Sequence, residues 1–165
     1  FFANSHTLGD YTNDNLGTAG APSNTTYDEA RKLLASMVGI NGRSIAPTGR
    51  YLLVCGPYQE GAARRLLNAE LVNDGNNVQI SNVWRGTADL LLIPELGTSQ
   101  KWVLMDAGRA LKPWIFQQEK SPEVDMVTNP NDGTVFKTGE FMYGVDYRGA
   151  VAHGLYWLAV GNAGA

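Results

Sequence analysis

Apolar residues recur at three- and four-residue spacing through Tyr27, Ala30, Leu33, Leu34, Met37 and Val38, which predicts an amphipathic helix over residues 26–38. Thr26 and Glu29 stand at capping-box spacing, so their side chains can satisfy the orphan amides of the first turn. Gly39 supplies the stop, and Asn41 with Gly42 makes the turn that follows. Helical period returns over 59–71 through Ala62, Ala63, Leu66 and Leu67. Short apolar runs bounded by Gly or Pro predict strands at Tyr51–Cys55, 88–93 and 101–106, and the run after Pro113 predicts another at 114–119.

Polar stretches fill the gaps. Residues 3–25 carry neither period and read as a long loop or a pinned extended arm; 73–77 is a turn cluster. Residues 121–133, with Pro122 and the run Asn129, Pro130, Asn131, Asp132, Gly133, are expected to form a loop. The end, 134–160, is β-prone but broken by Gly139, Gly144, Gly149 and Gly154, as at bulges and bends. The class is mixed α+β, with helices early and strands dominating late.

A chain of 165 residues with 44% hydrophobic content has room for one domain, or one domain and a lobe. Charged residues make up 18%, below the roughly 25% usual in soluble domains, as in a chain that covers part of its surface with partners. Net charge is −3, and only Arg64 and Arg65 are adjacent cations, so no basic face is set up to grip nucleic acid. A single cysteine, Cys55, cannot form an internal disulfide, which fits a reducing cytosol. The apolar stretch at 155–160 is far short of the roughly 20 residues a membrane helix needs. The start, Phe1, Phe2, Ala3, has no Met and no signal-peptide pattern, and is expected to continue something longer.

Candidate chemistry is sparse. Cys55 ends a strand that runs into a helix, as a nucleophile on a tight turn does. The upstream glycine of that motif is missing, however, and Pro57 removes an amide where an oxyanion hole needs one, so a buried structural thiol is the simpler reading. His6 and His153 lack metal-ligand spacing; His6 reads as a hydrogen-bonded loop anchor and His153 as a packing residue. Glu119, Glu123 and Asp125 read as a solvated flank. No glycine run has dinucleotide or phosphate-loop spacing. Trp84, Trp102, Trp114 and Trp157 could line a sugar or aromatic ligand site, but fit core or interface positions better.

Three motifs stand in order in the later half: Leu111, Lys112, Pro113, Trp114, Ile115, Phe116, Gln117; then Asn129, Pro130, Asn131, Asp132; then Phe141, Met142, Tyr143, Gly144, Val145, Asp146. With the strand 50–54, the run Leu66, Leu67, Asn68, and Phe1, Phe2 followed by His6, the chain resembles the Mu-like prophage major head subunit family over nearly its whole length. The resemblance implies the Hong Kong 97-type phage capsid fold, an α+β fold of peripheral and axial domains, here lacking the N-terminal arm and extended loop. Carried over, 1–25 is an extended arm or loop. Residues 26–49 and 109–149 are peripheral-domain spine helix and sheet, and 50–108 with 150–165 are axial domain. The function implied is structural: a major capsid protein that assembles with copies of itself and with scaffold, portal and decoration proteins into an icosahedral shell. That shell encloses DNA without specific binding, in a virion made in the host cytoplasm, with no membrane, cofactor, metal or catalytic residue. Alternatives are an encapsulin-like compartment shell or a small α+β hydrolase using Cys55. The expected subunit interface is the 121–133 loop, with Asn129, Asn131 and Asp132 as its polar contacts.

Overall fold

The computed structural model describes residues 1–73, 79–129, 131 and 133–164. It contains two compact units, one made of Phe1–Pro113 with His153–Ala165 and one of Trp114–Ala152.

The first unit is an α/β body. Its N-terminal stretch holds three short strands, β1 (His6–Leu8), β2 (Tyr11–Asn13) and β3 (Leu16–Gly17). This corrects the expected loop. Leu8 pairs with Tyr11 across the two-residue Gly9–Asp10 connection, and Gly9 supplies the positive φ of 64° that such a tight hairpin needs. Pairs this short leave no readable alternation in the sequence.

Helix α1 (Asn24–Ser36) follows, two residues earlier at each end than predicted. Its capping box is also different. Ser23 is the N-cap and exchanges hydrogen bonds with Thr26, while the Glu29 carboxylate accepts from the Thr18 hydroxyl at 2.7 Å. Strand β4 (Tyr51–Cys55) lies where predicted. Helix α2 (Pro57–Asn68) starts at its proline, whose missing amide costs nothing at the first helical position. It ends at Asn68 because Ala69 turns extended and Leu71 enters β5 (Leu71–Asn73), which pairs with β6 (Gln79–Ser81). Most of the predicted 73–77 turn lies outside the described residues. Strands β7 (Ala88–Leu92) and β8 (Trp102–Asp106) complete the predicted set.

The final strand is β11 (Ala159–Asn162), numbered after the second unit's β9 (Trp114–Val127) and β10 (Met142–His153). The body's sheet runs β3-β11-β8-β4-β7, with β4 parallel to β7 and antiparallel to β8. Strand alternation sends Tyr51, Leu53, Cys55, Trp102, Leu104 and Val160 to one face, where Tyr27, Ala30, Leu34 and Met37 of the α1 segment and Ala63, Leu66 and Leu67 of α2 cover them. The opposite face carries Leu52, Val54, Val103, Met105 and Ala159 under Phe1 and Phe2. Helix α1 was expected with residues 109–149; it packs instead on the body sheet, because its apolar stripe finds a flat apolar surface there.

A polar hub ties the N-terminal strands to this core. Asn15 is fully buried, accepts from Ala3 N at 2.8 Å and from His6 Nε2 at 2.9 Å, and donates to the carbonyls of Phe1 and Tyr156. The His6 ring stacks on Tyr156 at 4.1 Å.

Candidate interaction surface

The second unit is a ribbon. Strands β9 and β10 form a two-stranded sheet, joined through helix α3 (Gly133–Thr138). Glu119 faces Arg148 at 3.8 Å and Lys120 faces Asp146 at 2.9 Å, so partners fall in number on β10 as they rise on β9 and the strands run antiparallel. The predicted loop 121–133 is therefore corrected: β9 continues to Val127, and Gly133 already belongs to α3. Pro122 is tolerated because each strand of a two-stranded ribbon has one unpaired edge, where a missing amide costs no ladder bond.

Side chains alternate in direction along each strand. On β9, Phe116, Val124 and Met126 share one side, and Gln117, Glu119, Ser121, Glu123 and Asp125 the other. On β10, Tyr143, Val145, Tyr147 and Val151 share a side. Phe116 and Tyr147 meet beside Gly149, where an added Cβ would clash with the Tyr147 hydroxyl and lie 3.0 Å from Phe116 Cζ. Phe116 and Tyr147 therefore lie together on one side of the ribbon near Gly149.

Apolar side chains of both strands are open to solvent. Phe116, Tyr143, Val145 and Val151 are 57%, 68%, 70% and 73% exposed. Among the described residues, Val135 is the ribbon's only buried apolar side chain. Lys120 pairs with Asp146 at 2.9 Å and with Glu123 at 3.5 Å. Residues 114–152 carry three cations against six acids, so this segment accounts for the whole −3 charge of the chain. The ribbon thus combines a net acidic charge with many exposed apolar side chains and a single buried one among its described residues. Two-stranded sheets are marginal alone, and exposed apolar patches of this size mark interaction sites.

Two of the predicted interface residues, Asn129 and Asn131, sit at the far turn of this ribbon. Asn129 and Asn131 are exposed, and the Asn129 side-chain oxygen accepts from Asn131 N at 3.0 Å, which shapes the turn. Asp132 lies outside the described residues. The ribbon's exposed apolar side chains were not read as a surface in the sequence, where Pro122 and the glycines interrupt the strands.

The remaining candidates resolve into packing. Cys55 is buried at the end of β4, and burial, then the nearby Glu60 charge, push its thiol above the ordinary range, with Arg64 opposing. His153 packs its ring 5.3 Å from Phe1. Trp102 is buried and donates to Gly20 O at 2.9 Å, while Trp84 meets Tyr27 edge-on and, with Tyr51, brackets the Arg31 guanidinium. Among the described residues no group of three His, Cys, Asp or Glu could hold a metal, and no helix is long and apolar enough to cross a membrane.

The chain matches the family described as Mu-like prophage major head subunit gpT, in two stretches over residues 18–96 and 94–165. It is 36% identical over 88 residues to the Mu-like prophage FluMu major head subunit of Haemophilus influenzae, covering 53% of this chain and 27% of that protein. It is 39% identical over 61 residues to the major capsid protein of Escherichia phage Mu, covering 37% of this chain and 20% of that protein. The matched regions thus span about a quarter of these relatives' length. A chain in the solved procapsid of bacteriophage JBD30 is similar at 22% identity and a TM-score of 0.35, over 80% of this chain and 36% of that one.

Proposed function

We propose that this chain, which belongs to the Mu-like prophage major head subunit family, does structural work as part of the major capsid protein of a tailed phage or prophage. Other copies of the same protein would be its principal partners, closing by symmetry into an icosahedral head. The family match over residues 18–96 and 94–165 carries this reading. The ribbon's many exposed apolar side chains support it, because a shell subunit must reserve such surface for its neighbours. The match is with head subunits, and neither the compartment-shell reading nor a Cys55 hydrolase gains support from it. Cys55 is a buried thiol held protonated, the wrong state for a nucleophile.

Within the Hong Kong 97-type fold we assign the α/β body to the axial domain and the ribbon to the peripheral sheet. An α+β body and a long, separate two-stranded element support that assignment. The head would enclose DNA without specific grip, since the chain's net charge is −3 and phosphate binding needs a basic excess. Scaffold, portal and decoration proteins are further partners of this reading, the virion its location and the host cytoplasm its place of synthesis.

Heads purified from an induced lysate test it: peptides of this chain should dominate the coat fraction by mass spectrometry, and their absence from intact heads would sink the reading. The turn contacts are tested separately by changing Asn129, Asn131 and Asp132 to Ala together. Asn129 and Asn131 are exposed, where substitutions stay within about 0.5 kcal/mol each, and the triple change should let folding hold while head assembly in the full-length protein fails. Normal heads from the triple variant would reduce that turn to decoration.

A further inference from the structure

We infer that strand β7 pairs antiparallel with β7 of a second copy, about a two-fold axis through Leu90. The inference concerns the α/β body alone and does not rest on the shell reading.

Strand β7 is an open edge. In the sheet order β3-β11-β8-β4-β7, nothing lies beyond it among the described residues. Its ladder to β4 fixes which of its backbone groups stay free. Ile93 N donates to Cys55 O at 3.0 Å, and the Cα partners run without a bulge from Tyr51 with Ala88 to Cys55 with Leu92. Alternate residues of a parallel strand bond the same neighbour, so Asp89 and Leu91, in phase with Ile93, turn their backbone groups to β4. The N–H and C=O groups of Ala88, Leu90 and Leu92 point outward, and no described group bonds them there. Such edges are usually blunted by proline, lysine, a bulge or extreme shortness. The sheet's other edge obeys that rule, since β3 is only Leu16–Gly17. Strand β7 runs for five residues with none of these devices.

A second β7 fits this edge by its own symmetry. Outward residues must meet outward residues, because only such pairs exchange both hydrogen bonds. With Leu90 opposite its own counterpart, Ala88 meets Leu92 of the mate and Leu92 meets Ala88, so every outward group of the strand finds a partner. The one charge of the strand does not oppose itself. Asp89 stands across from Leu91 of the mate, which is 44% exposed in the single chain, and the two Asp89 carboxylates are offset by two positions. Charge on the body permits the approach, since Phe1–Pro113 with His153–Ala165 carries ten cations and ten acids. A two-fold uses both copies of β7 and stops at the dimer.

Cysteines at the exposed positions 89 and 91 test the register. Across the dyad these two positions bring Cα atoms about 4.5 Å apart, inside the disulfide range of about 4.4–6.8 Å. Position 89 lies about 7–8 Å from its own counterpart, as does position 91. Mild oxidation of the Asp89→Cys chain mixed with the Leu91→Cys chain should therefore give a linked heterodimer, and either chain alone less than about a tenth of that yield. Cys55 is buried and out of reach. In sedimentation velocity the parent chain should dimerise below about 100 µM. Ala88→Pro removes an outward N–H that the single chain does not use, at the first residue of an edge strand, where proline is tolerated. It should leave the melting temperature unchanged and weaken association about tenfold. A parent chain that stays monomeric at that concentration overturns the inference. So does a dimer indifferent to Ala88→Pro, or cross-linking as strong in either cysteine chain alone as in the mixture. Should Ala88→Pro fail to fold, the cysteine mixture decides by itself.

Discussion

Replacing Asn15 by Ala removes the hub that holds the N-terminal strands to the body. The Asn15 side chain makes four hydrogen bonds between 2.8 and 3.2 Å, to Ala3 N, His6 Nε2, Phe1 O and Tyr156 O, and has no solvent exposure. A net intramolecular hydrogen bond contributes about 1 kcal/mol, and a buried group left without a partner costs about 1–3 kcal/mol. The arm groups can regain water once released, whereas Tyr156 O, inside the body, has less chance to do so. The balance is a loss of about 3 kcal/mol. For a unit of this size that corresponds to a fall of roughly 10 °C in melting temperature. Calorimetry measures the loss, and hydrogen exchange locates it: amides of β1 and β2 should lose protection while β4 and β8 keep theirs. A melting temperature within a degree of the parent, with β1 still protected, would refute the hub.

Leu34→Ala, at a 1% exposed position under the sheet, should cost about 2–5 kcal/mol by denaturant unfolding; an unchanged midpoint would remove α1 from the core. Gly161→Ala places a methyl 2.6 Å from Phe2 Cγ, so it should destabilise the parent but cost little in a Phe2→Ala background, a coupling that a double-mutant cycle reads directly. Asp106 is buried, and burial pushes its carboxyl up. Hydrogen bonds from the Thr48 hydroxyl, Thr48 N and Gly108 N, with the Arg109 charge 3.4 Å away, outweigh this and hold it below the usual carboxylate range. A depressed folded value means that the stabilisation is complete above the unfolded carboxyl's pKa and disappears as pH falls through the folded one. Asp106→Asn should therefore lower stability by about 2 kcal/mol at neutral pH, with the two proteins converging in strong acid; a constant gap across the titration would exclude the charge as the cause.

Much of the body was legible because its elements combine strong local signals. Tyr51–Cys55 is apolar throughout and bounded by Gly49 and Gly56, and a strand buried on both faces needs no alternation to be recognised. The α1 stripe was equally plain, although its cap was not: Thr26 can open a capping box or close one, and only the extended backbone of Ser23 decides which. Strands β1 to β3 escaped notice because two or three residues carry no period, and their stability comes from Asn15 and the sheet edge rather than from their own sequence. The ribbon was half legible. Its first six residues read as strand, then Pro122 and the charged residues after it suggested a loop. Proline is a strong signal only where a ladder bond is at stake, and an edge has none to lose.

The two units differ in what can hold them together. The body covers both faces of its sheet with its own residues, so its stability is a property of the single chain. The ribbon buries one apolar side chain among its described residues, and its ion pairs lie at exposed positions, where such pairs contribute about 0–1 kcal/mol. Against an ordering cost of about 1–2 kcal/mol per residue, its own contacts leave the ribbon marginal. Surface supplied by a partner adds stability by mass action, in proportion to the logarithm of partner concentration over the dissociation constant. In a head the partner is tethered by symmetry and its effective concentration is high; in dilute solution it is not. On the shell reading proposed above, the exposed apolar side chains that leave the isolated ribbon marginal would be the ones an assembled ribbon covers, and a chain that spent those residues on its own core would have none left with which to join neighbours.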